Sequence, residues 1–428
     1  MELNEPSAKY LVQGGLQQTE IGPIPLDWQV EPLAKVAEIR SGIAKNVNAV
    51  IADAIEVPYL RVANVQDGYL DLQEISTIRI NREDLRRYSV LPFDVLMNEG
   101  GDIDKLGRGA LWRGQIQPCV HQNHVFVVRC KPALAPQFLS AWSASPPARR
   151  YFLFAGKQTT NLASINKTSL GQLPVAMPRL REEQERIAQA LADADALIES
   201  LEQLLSKKRQ IKQGAMQDLL TGQRRLPGFQ AEWCTVSLGE IGTFLKGSGI
   251  TREQAQSGAI PCVRYGEIYT THTDHVRSFE SGISPAVAAT ATPLRQGDIL
   301  FAGSGETKED IGKCVAFLDD FEAYAGGDIV ILRPRAFDSR YLGYALNAAE
   351  VNRQKASKGQ GDAVVHISAA ALAQITVRAP EIAEQTAIAT ILSDMDTEIT
   401  ALEARLTKAH QLKQGMAQAL LTGRIRLV

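Results

Sequence analysis

A 44-residue segment occurs twice in this chain. Residues 183 to 226 read EQERIAQALADADALIESLEQLLSKKRQIKQGAMQDLLTGQRRL, and residues 384 to 427 read EQTAIATILSDMDTEITALEARLTKAHQLKQGMAQALLTGRIRL. They align without a gap, and about half of the positions are identical. Each copy lacks Pro and nearly lacks Gly, and its seam of Ile187, Leu191, Ala194, Ile198, Leu201, Leu205, Lys208, Lys212, Ala215 and Leu219 alternates steps of four and three. The second copy repeats that seam from Ile388 to Leu420. A step averaging 3.5 residues keeps one stripe facing a partner helix, which predicts a coiled coil. Pro178 and Pro380 precede the helices, where proline does no harm. Thr221-Gly222 and Thr422-Gly423 close them with a residue suited to a left-handed cap. About forty residues at 1.5 Å each predict helices of roughly 60 Å.

The duplication extends upstream. Trp28 and Leu33 match Trp233 and Leu238, and VPYLRV (57–62) matches IPCVRY (260–265), which sets Arg61 opposite Arg264. LGRGALW (106–112) matches IGKCVAF (311–317), setting Arg108 opposite Lys313, and LPVAMP (173–178) matches ITVRAP (375–380). A unit of half the chain is a duplicated domain rather than a short solenoid repeat. Gly, Pro and short β-branched runs such as Val125–Val128 and Ile329–Leu332 predict a small mixed α/β domain in front of each helix. The expected organisation is an N-terminal extension (1–18), a globular domain (19–178), a spacer helix (179–222), a second globular domain (223–380) and a second spacer helix (381–428). The simplest partner for each helix is the other, antiparallel, about a pseudo-two-fold axis. Lys212 and Lys413 then fall on the seam, either fixing register or reaching out to solvent.

Composition bounds the function classes. At 428 residues, 45% hydrophobic and 22% charged, the chain can form more than one ordinary core. Its start, MELNEPSAKY, has no apolar stretch behind a basic end, and no apolar run approaches membrane-spanning length. A cytoplasmic protein is expected. The five cysteines include no Cys-x-x-Cys pair, so reduced thiols are expected rather than disulfides or zinc. A net charge of −2 does not by itself announce a nucleic-acid binder, and any phosphate contact must come from local clusters.

Catalytic motifs are missing where they would be looked for. Phe301-Ala-Gly-Ser-Gly-Glu306 resembles a glycine-rich cofactor loop, but its repeat partner is the unlike Met97-Asn-Glu-Gly-Gly101. A base-methylating clamp needs Asn/Asp-Pro-Pro-aromatic, and the sole Pro-Pro, Pro146-Pro147, follows Ser145. Gly305 to Lys313 has two residues too many for a P-loop, and Cys314 stands where a Ser/Thr is needed. His121-x-x-His124 and His272-x-x-His275 occupy unlike repeat positions and lack metal-ligand companions. No catalytic, cofactor or metal residues are expected.

Two diverged copies of one domain at a fixed spacing suit a polymer with a regular repeat, and roughly 60 Å lies between one and two turns of duplex DNA. The openings IGPIPLDWQVEPLAKV and LPGFQAEWCTVSLGEI, the helix entries LPVAMPRLREEQERIA and ITVRAPEIAEQTAIA, and the exits QGAMQDLLTG and QGMAQALLTGRIRL resemble the specificity subunit of type I restriction-modification systems. The similarity covers nearly the whole chain, apart from the N-terminal stretch to about Gln18. It implies two target-recognition domains, each reading half of a bipartite DNA site, separated by helices that bind two methyltransferase subunits. It also implies restriction/translocase subunits as further partners, with S-adenosylmethionine, ATP and Mg held in those partners and none in this chain. Candidate DNA contacts are Arg61, Arg108, Lys157, Gln158, Asn161, Arg264, Lys313, Lys358 and Gln360, in loops or at strand ends, with Lys157–Asn161 set opposite Lys358–Asp362. Forked Arg and amide groups read base edges, whereas Lys meets phosphates. Arg108→Ala and Lys313→Ala are each expected to flatten the salt dependence of binding by about one unit. The alternative is a scaffold that uses the coiled coil and duplicated domains without DNA.

Overall fold

The computed structural model describes residues 15–44, 53–103, 106–158, 163–361 and 364–427. The chain forms two compact units, one of residues 1–202 with 405–428 and the other of residues 203–404. Each contains one globular domain together with half of each long helix.

In the first unit a four-stranded antiparallel sheet runs in the order Ala37–Arg40, Val125–Cys130, Val95–Asn98, Gly109–Leu111. Val125–Val128 is buried on both faces, which is why it is apolar without alternation. Beside it Val120–His121, Ile55–Leu60 and Ser76–Ile80 form a smaller sheet. Trp28–Pro32 pairs with Pro174–Pro178, which leads straight into the first long helix. The core around Trp28, Phe138 and Trp142 takes in Ile187, Ala188 and Leu191 of that helix and Leu420 and Leu421 of the second. A domain this size thus closes its core with helix that the chain supplies from both ends.

The second unit repeats the plan. Its main sheet runs Gly242–Lys246, Ile329–Pro334, Ile299–Ala302, Cys314–Ala316, and Cys234–Ser237 pairs with Thr376–Ala379 ahead of the second long helix. Leu219 and Leu220 from the first helix, with Ile388, Ala389 and Leu392 from the second, complete its core.

The long helices span Arg181–Thr221 and Ile382–Leu421. No seam residue in either is exposed, as the heptad spacing requires. Within each unit the paired segments run antiparallel. In the first, Asp195 meets Lys413 and Glu202 meets His410; in the second, Arg209 meets Glu403 (2.7 Å) and Lys212 meets Asp396 (2.9 Å). Gly222 (φ 73°) and Gly423 (φ 69°) end the helices in the left-handed region. A Cβ on Gly423 would also lie 2.4 Å from Pro25 Cγ, so glycine is required there on two counts. Among the described residues no helix is long and apolar enough to cross a membrane. Cys119, Cys262 and Cys314 are buried free thiols, Cys130 is half-buried and Cys234 exposed.

The expected N-terminal extension lies mostly outside the described residues. Its end, Leu16–Thr19, forms a hairpin with Gly22–Pro25 and so joins the first unit.

Candidate nucleic-acid interface

Each globular domain is tied to its helices by an arginine paired with a buried glutamate. Arg426 donates to both carboxylate oxygens of Glu183, at 2.5 and 2.7 Å, and to Asp27 at 2.8 and 2.6 Å, with its guanidinium 5.9 Å from the Trp28 ring centre. In the second unit Arg225 donates to both oxygens of Glu384 at 2.7 Å and lies 5.7 Å from the Trp233 ring, whose Nε1 also donates to Glu384. The hydrogen bonds to Glu183 and Asp27 raise the Arg426 pKa, and the Arg426 bond holds Asp27 below the usual carboxylate range. Gln184 and Gln385 perform a second matched task. Their side chains accept the backbone N–H of Ala135 (2.8 Å) and Asp338 (3.0 Å), and donate to the carbonyls of Pro178 and Pro380. None of these residues was a candidate on sequence grounds, although their identity across the repeat was visible in the alignment.

The seam lysines turn to carboxylates rather than to solvent. Lys212 Nζ lies 3.0 Å from Asp274 and 2.9 Å from Asp396, and 5.2 Å from the Tyr344 ring centre. Tyr344 Oη donates to Asp396 (2.7 Å), and Arg277 adds an ion pair at 3.2 Å. Burial pushes the Asp396 carboxyl up, and the hydrogen bonds from Lys212 and Tyr344 more than offset that, so its net shift is downward. Lys413 pairs with Asp195 at the equivalent place in the first unit, where both are far more exposed.

The candidate contacts of the first domain gather around the end of the Val95–Asn98 strand. Asn98 Nδ2 donates to the Val65 carbonyl (2.9 Å), which ties the turn after Arg61 to the strand, and the Arg61 N–H donates to Asn64 Oδ1 (2.9 Å). The Asn98 N–H in turn donates to the Arg108 carbonyl (2.9 Å). Two residues on, Gly100–Gly101 pairs with Ala163–Ser164, and that pair carries Lys157–Gln158. Arg61, Arg108 and the Lys157 strand therefore share one end of the sheet, with Lys157 exposed and both arginines half-buried. Asn161 lies outside the described residues. His121 is buried, its Nδ1 2.6 Å from the Val125 carbonyl, and burial lowers its pKa to about 4, so it does not offer a cation to phosphate. His124 is exposed and pairs with Glu99 at 2.8 Å.

The second domain keeps the frame and changes the contents. The Ala302 N–H donates to the Lys313 carbonyl (2.9 Å), as Asn98 does to Arg108, so those positions are equivalent. Arg264 again ends a strand and precedes the helix Tyr265–Thr270. The side chain of Lys313, however, turns inward. Its Nζ donates to the carbonyls of Tyr269 (3.3 Å) and His272 (2.7 Å) at the end of that helix, and desolvation lowers its pKa. A lysine spent on helix carbonyls is a cap, not a charge held out to phosphate. Lys358, at a helix end, donates to Gln374 (2.9 Å).

The loop alignment needs correction. Gly156 and Gly359 each follow a helix end, their N–H donating to Phe152 and to Lys355. Gln360 then pairs with His366, in the strand that joins Ser304–Gly305, as Lys157 pairs with Ser164. Lys157 is thus equivalent to Gln360 rather than to Lys358, because the capping glycine sets the register and the second loop is one residue shorter. Ser304–Gly305 is a paired strand and no phosphate loop. Pro146 and Pro147 open a helix whose N-cap is Ser145. Among the described residues no group of His, Cys, Asp and Glu is arranged to hold a metal.

The type I restriction modification DNA specificity domain matches residues 25–208 and again 230–413. The chain belongs to that family. It is 28% identical over 216 residues to the putative type I restriction enzyme MjaX specificity subunit of Methanocaldococcus jannaschii, covering 50% of each chain. It is 22% identical over 193 residues to the type I restriction enzyme EcoKI specificity subunit of Escherichia coli K12, covering 44% of this chain and 41% of that one. The chain thus spans half or less of the length of these two relatives. In fold it is similar to the type I restriction-modification S subunit of M. genitalium, with a TM-score of 0.57 at 13% identity over 92% of this chain and 96% of that one. A chain solved in a study of complex assembly and conformational transition of the type I R-M system gives 0.55 at 15% identity, over 94% of this chain and 99% of that one.

Proposed function

We propose that this protein is the non-catalytic DNA-recognition subunit of a type I restriction-modification complex. Each globular domain reads one half of a bipartite site, the long helices set the gap between the halves, and two methyltransferase subunits dock on the duplicated architecture. Restriction/translocase subunits join through them. S-adenosylmethionine, ATP and Mg belong to those partners. The observation that carries this reading is the duplication. Two homologous domains, each closed by the same Arg–Glu pair onto the ends of helices of 41 and 40 residues, suit a target with two unlike parts and a fixed spacing. Arg61, Arg108, Lys157 and Gln158 are the proposed DNA contacts of the first domain, with Asn161 in the adjoining loop. Arg264, Lys358 and Gln360 are those of the second, where Lys313 serves the fold.

Co-expression with the neighbouring subunits, followed by mapping of methylated adenines in cellular DNA, tests the proposal. The expected result is a two-part motif with an invariant gap. A single uninterrupted motif, or methylation unchanged when this chain is omitted, overturns it. Complex formation without any affinity for duplex would favour the scaffold reading instead.

A further inference from the structure

The two domains differ in charge on one short helix. In the first, the strand Ser76–Ile80 leads into the helix Arg82–Tyr88, and this stretch carries Arg79, Arg82, Arg86 and Arg87, all exposed. Leu85 and Tyr88 pack down on the small sheet against Val57, Tyr59, Ile78, Ile80 and Val120, which turns Arg82 and Arg86, one helical turn apart, outward. The guanidinium of Arg87 lies 5.2 Å from the Tyr88 ring centre. Glu83 and Asp84 share the helix but occupy its first turn, where the backbone dipole favours them. Asn81 caps that turn, accepting the Asp84 N–H at 2.7 Å. The helix ends beside the candidate interface, since Ser89 bridges to Val120, and Val120 pairs with Tyr59, two residues before Arg61.

The second domain has the same element in the same place. There Ser281–Ile283 leads to the helix Pro285–Ala288, and the Leu294 N–H then donates to the Ala323 carbonyl as the Val90 N–H donates to that of Cys119. Yet residues 284–294, SPAVAATATPL, contain no charged side chain. The fold therefore does not require arginines on this helix.

We infer that the arginine ridge of the first domain tracks the phosphate backbone of duplex DNA, adding an electrostatic grip on the first half of the site that the matching helix of the second domain does not supply. This rests on the DNA-recognition reading above. Long exposed guanidinium groups at one-turn spacing match a polyanion, whose affinity is set by the number of phosphates neutralised and not by base sequence.

The test is a salt titration of the full chain binding a random-sequence duplex, followed by fluorescence anisotropy. The alanine variant R82A/R86A/R87A is expected to lower the slope of log K against log salt by about two to three, each contact contributing about 0.9. R82A and R86A alone are each expected to lower it by about one. The lysine variant R82K/R86K/R87K keeps the charge and is expected to keep the slope. If the wild type binds with a salt-dependent affinity and the alanine variants match its slope, the inference is overturned while the DNA-recognition reading stands. An unchanged slope with loss of co-purifying methyltransferase would make the ridge a protein-docking surface and overturn it too. A wild type that binds no duplex at any salt overturns both.

Discussion

Arg426 is the residue whose loss is most informative, because it lies at the far end of the sequence from most of the domain it closes. Its guanidinium satisfies Glu183, a carboxylate only 3% exposed, together with Asp27. In Arg426→Ala, Glu183 becomes a buried charge without its partner, which costs about 3–5 kcal/mol. The Asp27 contact adds little, since that side chain is 63% exposed. For a unit of about two hundred residues, each kcal/mol moves the melting midpoint by about 2–4 °C. A drop of about 6–20 °C in the transition of the first unit is therefore expected by scanning calorimetry. Arg225→Ala should lower the transition of the second unit by less, since Glu384 is buried but keeps the Trp233 Nε1–H and Arg225 is the more exposed arginine. The double variant Glu183→Gln/Arg426→Met removes both charges and should recover much of the loss, because the penalty lies in the unpaired carboxylate and not in the absence of a bond. A midpoint lowered by less than about 2 °C in Arg426→Ala, or a double variant no better than the single, would refute this reasoning.

The remaining predictions concern charge, backbone and binding. Asp396 has its pKa lowered in the folded state, so its contribution to stability is full above the unfolded carboxylate value of about 4 and is lost as pH falls through the folded one. Denaturation midpoints of Asp396→Asn should accordingly be lower than wild type at neutral pH and converge with it in acid; curves that stay parallel would contradict this. Gly423→Ala should destabilise by more than about 1 kcal/mol, since alanine resists positive φ and its Cβ meets Pro25, whereas Gly415→Ala, mid-helix with open space around it, should stabilise by about 0.5–1 kcal/mol in chemical denaturation. Lys157→Ala should flatten the salt slope of DNA binding by about one while leaving the melting midpoint in place. Lys313→Ala should do the reverse, lowering the midpoint through its lost contacts to the Tyr269 and His272 carbonyls with little change in slope.

Most of the architecture was legible before any coordinates. The heptad seam, the proline entries and the glycine exits define both long helices, because helical periodicity and capping are local properties of a chain. The repeat, strong in the helices and weaker in front of them, announces two copies of one unit, whereas the compact units each join a globular domain to half of both helices. Equivalence of Arg61 with Arg264 and of Arg108 with Lys313 also followed from the alignment.

What the chain does with those positions was not local. Arg108 and Lys313 align, yet Lys313 bends back to cap the Tyr265–Thr270 helix, and only the placement of that helix shows it. The Lys157 loop was misregistered by an ungapped match, because glycine caps and strand pairing decide its frame. Glu183 and Arg426 are identical to their repeat partners but stand more than two hundred residues apart. Their pairing exists only once the end of the second helix packs beside the start of the first. Periodicity and repetition, being carried by neighbouring residues, were determined by sequence alone. Partnerships between buried charges, which depend on long-range closure and on exclusion of water, were decided by the tertiary structure.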